Sequence, residues 1–215
     1  MKVRLISTLI FSGLCLTFFV SPTFADQVEP SNLDVHALLS KPDVVAQISN
    51  LSESKKLQVN SYLLKNGIPG DINRASIQNG LVNAGVSLQY DNTGAEFLGC
   101  LTKVSLSECV TGSNDANTAT SVAIGLYPNS RLDSYQDAMR HCYWNSLMSI
   151  HMSTLVALKI ASNHEDFNPG TPAQSAMDYY NNAWGRYTRS LTNSVFAGRN
   201  FCKTWTDDGT LRRIQ

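Results

Sequence analysis

The sequence predicts an all-α fold: a helical domain stabilised by two disulfides, with an N-terminal helical hairpin. Three observations predict it. Apolar residues recur three and four positions apart through most of the chain, the spacing of one helix face. Thr171-Pro172-Ala173-Gln174 is a helix start in which Thr171 caps, Pro172 fits the first turn and Gln174 completes a capping box. Beyond the first 25 residues four cysteines remain, Cys100, Cys109, Cys142 and Cys202. An even number in an exported chain reads as two disulfides.

Export itself is read from the start of the chain. Lys2 and Arg4 give a positive end, Leu5 to Val20 is largely apolar, and Ser21-Pro22-Thr23-Phe24-Ala25 breaks the helix before a cut at Ala25/Asp26. This predicts a signal peptide over residues 1–25 and a periplasmic or secreted protein. Leu14, not a small residue, precedes Cys15, which argues against a lipoprotein. No later segment reaches the roughly 20 apolar residues of a membrane span, so no transmembrane anchor is expected. The mature part carries 15 basic and 17 acidic residues, a net charge of −2. No basic excess exists to attract phosphate backbones, and nucleic acid is not an expected partner.

The elements follow in order. Residues 26–70 read as an N-terminal helical extension and residues 71–215 as the main helical domain. Leu38, Leu39, Val44, Val45 and Ile48 mark one helix face, and Ser52 to Lys65 a second helix stopped by Asn66-Gly67-Ile68-Pro69-Gly70. Ile77 to Val82 suits a short helix, while Val86 to Tyr90 alternates like a strand. Ala95 to Val110 reads as helix, Gly112 to Asp115 as a loop, and Ala116 to Tyr127 as a helix capped by Ser113 or Asn114. Ser134 to Ile150 and Met152 to His164 are helical, continuous or kinked near His151. A further helix runs from Thr171 to about Leu191, and the tail with Cys202 and Trp205 packs back on the domain. Three disulfide pairings are possible. The favoured one is Cys100–Cys109, closing a short loop, with Cys142–Cys202, tying the tail to the preceding helices. No close Cys-x-x-Cys pair supports a zinc–thiolate site.

The chemistry gathers in the last third. In a helix, Asp137, Arg140, His141, Trp144, Asn145 and Met148 fall within an arc of about 140°. Asp137 lies one turn before His141, where a carboxylate orients an imidazole and favours its charged form. His164-Glu165-Asp166 ends the next helix. In the following one Asp178, Asn181, Asn182 and Gly185 share an arc of about 100°. Gly185 costs about 1 kcal/mol of helix propensity, which a close approach by backbone or ligand would explain. Short connections bring these stripes to one centre holding His141, Asn145, Glu165 and Asp178, with Asp137, Arg140, His164, Asn181, Asn182 and Arg186 nearby. His36 and His151 read as core or surface histidines. No Gly-x-Ser-x-Gly and no glycine-rich phosphate loop occurs.

At these residues the chain resembles a bacterial domain family of unknown function. That family carries the pattern Asp-Ala-x-Arg-His-x-x-Trp-Asn, then His-Glu, then Met-Asp-x-x-Asn-Asn-x-x-Gly-Arg. The matching positions are Asp137, Ala138, Arg140, His141, Trp144 and Asn145, then His164 and Glu165, then Met177, Asp178, Asn181, Asn182, Gly185 and Arg186. The resemblance covers about residues 116–186. Met139 replaces an aromatic and Cys142 a small residue. Occurrence of the family in secreted and toxin-like proteins implies a secreted hydrolase or effector. The Arg140-His141 pair on a helix expected to be tied by a disulfide also resembles secreted bacterial phospholipases A2, although Cys142 stands where those enzymes have an Asp.

Two functional classes follow. As a hydrolase of ester or phosphoester bonds in small-molecule, lipid or envelope material, His141 would activate water. Asp137 or Asp178 would orient it, and Arg140 or Asn145 would stabilise developing charge. Trp144, Asn181, Asn182 and Arg186 would contact substrate, and His164 and Glu165 with their neighbours could hold calcium or zinc. As a non-enzymatic secreted interaction protein, the same groups would form a self-satisfied network fixing helix register. A solvent-open cleft at His141 favours the first class, a sealed cluster the second.

Overall fold

A computed structural model describes residues 32–86, 94–130 and 133–214. The segment expected to be a signal peptide, residues 1–25, lies outside these residues, as does the alternating stretch Val86–Tyr90 except for Val86. The described part belongs to one compact unit, Asn32–Gln215. It is all-helical: α1 Val35–Leu39, α2 Val44–Ser49, α3 Glu53–Asn66, α4 Arg74–Asn83, α5 Gly94–Cys100, α6 Leu106–Leu126, α7 Tyr135–His151, α8 Thr154–Phe167, α9 Pro172–Leu191 and α10 Val195–Asp207.

The first arm of the expected hairpin is two short helices. Pro42 follows Lys41 between them, and a proline disfavours helix at the residue before it. Their apolar faces still point one way: Leu39, Val44 and Ile48 are fully buried. In α3 Val59 and Leu63 face the core, while Leu57 and Leu64 stay exposed. α1 touches α2 and α3, α2 packs on α4, and α3 packs on α5, which continues onto α8.

Two boundaries differ from the sequence reading. The stretch Ala95–Val110 is broken after Cys100, because Ser105 and Glu108 form a reciprocal capping box that starts α6. α6 then runs straight through Gly112–Asp115, where a loop is expected from the sequence. Gly112 serves packing there, not turning: a Cβ on it would lie 2.9 Å from Ile160 Cδ1. The indole of Trp144 also donates to its carbonyl at 2.8 Å. Elsewhere the signals hold. Ser153 caps α8 after a break at Met152, and Thr171 and Gln174 form the capping box that opens α9.

α7 is the hub. It is buried along nearly its whole length and packs against α6, α8, α9 and α10. Gly185 explains its closest neighbour. A Cβ there would stand 2.2 Å from the backbone oxygen of Cys142, so only glycine lets α9 press onto α7 at this point. Gly198 does the same for α10, its added Cβ meeting Ser146 Oγ. Both disulfides form as favoured: Cys100–Cys109 links α5 to α6, and Cys142–Cys202 links α7 to α10. The tail beyond α10 folds back, with Leu211 buried and the Asn181 amide bracketing the backbone of Arg212 from both sides.

Candidate functional site

The contact between α7 and α9 gathers most of the polar residues singled out in the sequence. His141, on α7, is 1% exposed. Its Nδ1 lies 3.2 Å from Asn182 Oδ1 on α9. Asn182 Nδ2 donates to Glu165 Oε1 of α8 at 2.9 Å. That bond fixes which way the amide points, because a carboxylate only accepts. Asn182 Oδ1 must therefore accept from the imidazole, so His141 carries its proton on Nδ1. Asn145 Nδ2 donates to the same oxygen at 2.7 Å, and Arg186 Nη1 donates to Asn145 Oδ1 at 2.9 Å.

The other ring nitrogen, Nε2, presents a lone pair to a crowd of acceptors. Asp178 Oδ1 stands 3.1 Å away and Asp137 Oδ1 3.5 Å away. Arg140 supplies the balancing cation, its Nη2 lying 2.7 Å from His141 Nε2 while its Nε donates to Asp137 Oδ1 at 3.1 Å. Asp178 Oδ1 is a buried oxygen that accepts no hydrogen bond among the described residues.

The electrostatics follow from this geometry. Burial, then the Arg140 charge beside it, push the His141 pKa down to about 3, so the ring is neutral near pH 7. Burial alone would raise Asp137, but the paired Arg140 guanidinium outweighs it and holds the carboxyl below its usual range. Because the imidazole is neutral, Arg140 is the cation that keeps Asp137 ionised. Burial, then the Glu165 and Asp137 carboxylates, push Asp178 up to about 8. Burial also raises Glu165.

His141, Asn145 and Asn182 are sealed from solvent. Arg140 and Asp178 are the members that reach outward, their side chains 17% and 16% exposed. A cavity beside the centre, between α5, α6, α7 and α8, is lined by Arg140, Trp144, His164 and Glu96 but not by His141. It holds about 30 Å³ of open space, room for a water or two.

The remaining expected residues are engaged by other partners, although the His164 ring lies 6.2 Å from that of His141 and Glu165 Oε1 3.9 Å from His141 Nδ1. Trp144 is spent on the Gly112 carbonyl and lines the cavity. Asn181 clamps the tail. His164 and Glu165 do not share a ligand set: His164 Nδ1 pairs with Glu96 Oε1 at 2.8 Å, whereas Glu165 holds Asn182. Among the described residues the group able to offer ligand atoms to one cation is Asp137, His141 and Asp178, whose atoms all lie within 4.8 Å of one another.

The sequence reading did not single out Glu96, a buried carboxylate on α5 that also accepts from Asn168 Nδ2 at 2.9 Å. The available signal was a lone acid inside the apolar run Ala95-Glu96-Phe97-Leu98. The pair His151–Asp115, at 2.9 Å on α7 and α6, was missed for want of any local spacing cue. His36 forms an exposed pair with Asp71.

Comparison with known proteins adds one finding. No curated protein and no solved structure matches the chain. Residues 101–207, from the turn before α6 to the last residue of α10, match the model of a family described as a domain of unknown function, DUF6973.

Proposed function

We propose that this chain is a bacterial exported hydrolase of ester or phosphoester bonds, acting on small-molecule, lipid or envelope material in the manner of a secreted effector. Export is supported by the signal-like first 25 residues and by two disulfides, which persist in oxidising compartments. The observation that carries the hydrolytic reading is the handling of His141. One ring nitrogen is locked by Asn182 and Glu165, and the other faces two carboxylates and a guanidinium at short range. Two carboxylates beside a buried ring, one of them with an oxygen that accepts no hydrogen bond among the described residues, cost free energy that packing alone does not require.

The sequence-based roles shift with burial. Substrate would meet Asp178 and Arg140, the outward members. Asp178 would handle the proton of the attacking water or leaving group, His141 would position and buffer that carboxyl from behind, and Arg140 would bind the anionic or polarised oxygen. Asn145 and Arg186 brace the inner side. The test is a hydrolysis screen of the mature protein against phospholipids, peptidoglycan and phosphodiesters, with Asp178→Asn and His141→Ala in parallel. Activity on one class that falls at least 100-fold in both variants, with Asp178→Asn still folded, supports the reading. Undiminished activity in Asp178→Asn contradicts it.

One observation favours the other class, a secreted interaction protein with a structural polar network: His141 is nearly without exposure, and the cavity beside the centre is lined without it. That reading requires both variants to lose stability and no substrate to be turned over.

A further inference from the structure

We infer that Asp137 Oδ1, His141 Nε2 and Asp178 Oδ1 form a binding site for a zinc-type divalent transition ion, with Arg140 as a tethered cation that competes for it. The inference deepens the hydrolase reading and rests on it for its purpose, but not for its geometry.

Bonds of about 2.1 Å place neighbouring ligands about 3.0 Å apart in an octahedron and about 3.4 Å apart in a tetrahedron. The imidazole nitrogen lies 3.1 Å from the Asp178 oxygen and 3.5 Å from the Asp137 oxygen, two edges of such a polyhedron, and the three ligand atoms all lie within 4.8 Å of one another. The ring is already set for coordination. Its Nδ1 proton is committed to Asn182, which Glu165 fixes in turn, so Nε2 carries the lone pair, which now accepts from Arg140 and which a metal ion would take over. A hydrogen-bonded far nitrogen of this kind is what orients metal-bound histidines. Asp178 Oδ1 supplies the second pointer: a buried oxygen aimed at the site that accepts no hydrogen bond among the described residues.

One nitrogen and two carboxylates suit zinc and its neighbours. Calcium, which takes six to eight oxygen ligands, is poorly served. Three protein ligands leave a position for water or a substrate oxygen. Arg140 now satisfies the same atoms, bonding Asp137 Oδ1 and lying 2.7 Å from Nε2. It also lines the cavity toward Glu96, so its guanidinium has a direction in which to turn when a metal ion enters.

The test uses the mature protein, dialysed against chelator and titrated with zinc chloride by calorimetry, with bound zinc counted by atomic emission. One zinc per chain is expected. Asp178→Asn should weaken binding at least tenfold, and His141→Ala should abolish it. Arg140→Gln should tighten binding at least threefold, a gain that surface binding or misfolding would not produce. Circular dichroism confirms that each variant is folded, and Asp178→Asn keeps the test valid if His141→Ala unfolds. Less than a tenth of an equivalent of zinc in the wild type, affinity unchanged in Asp178→Asn, or weaker binding in Arg140→Gln would overturn the site. Because no substrate is involved, failure to bind zinc alongside hydrolysis by the same protein would remove the metal site alone, whereas zinc bound as expected with no hydrolysis of any class would remove the enzyme reading alone.

Discussion

Among the described residues, α1 to α4 bury no polar or charged side chain, whereas α5 to α10 and their connections bury seventeen. The first region is held by aliphatic residues such as Leu39, Ile48 and Leu63 and needs no special chemistry. The second places acids, amides and an imidazole where oil-like contacts would be more stable, since buried charge seldom repays its desolvation. The difference teaches where this chain spends stability. The polar region compensates with devices absent from the first: a glycine pressed against backbone, a disulfide tying α7 to α10, and a tail clamped by Asn181.

The largest effect should come from the staple. Breaking Cys142–Cys202 with paired serines opens a link across 60 residues and should cost about 4 kcal/mol by loop-closure entropy. Breaking Cys100–Cys109, which spans 9, should cost about 1.7 kcal/mol less. Urea denaturation of both pairs checks the difference, and equal losses would contradict the claim that the polar region leans chiefly on the link between α7 and α10.

Next comes Gly185→Ala. The new methyl would strike the Cys142 carbonyl, which cannot yield without separating α7 from α9. A loss of about 3 kcal/mol is expected, the upper range for overpacking. The same change at Gly80 in α4 meets only Val45 Cγ2 at 3.1 Å and gains helix propensity, so its effect should stay within about 1 kcal/mol. Thermal melts of the two alanine variants should therefore differ widely; similar shifts would contradict the contrast between regions.

A pH effect is smaller and belongs to Asp115. Burial raises its carboxyl to about 6 from an ordinary 3.8, against the opposing pull of His151. The folded form thus holds the proton more tightly than the unfolded one. The resulting stability is complete below pH 3.8 and is lost as pH rises through about 6, at most about 3 kcal/mol. Asp115→Asn should remove that slope between pH 4 and pH 7, and a slope unchanged by the substitution would assign it elsewhere.

Much of this was legible in the sequence, for local reasons. The α7 and α9 stripes follow helical spacing, the α9 start is written in Thr171-Pro172-Ala173-Gln174, and Gly185 announces a close approach by its cost. Residues that act through partners distant in the chain were harder. Glu96 meets His164 68 positions away, and no periodicity links them. Gly112 resembled a turn because its reason, the side chain of Ile160, lies on another helix. The division of labour around His141 also escaped. Spacing puts side chains on one face, but burial and amide orientation decide which of them meets solvent and which nitrogen keeps its proton.

The central claim is that the α7–α9 centre is arranged for function at the expense of stability. Asp178 tests it most directly, because its carboxyl sits beside Glu165, Asp137 and a ring nitrogen with one oxygen unmatched. The melting temperature of metal-free Asp178→Asn at pH 9, where the wild-type carboxyl is ionised, should equal or exceed that of the metal-free wild type, since the amide removes repulsion without changing shape. A fall of several degrees would mean that the carboxylate holds the fold together, and the centre would then be a structural network.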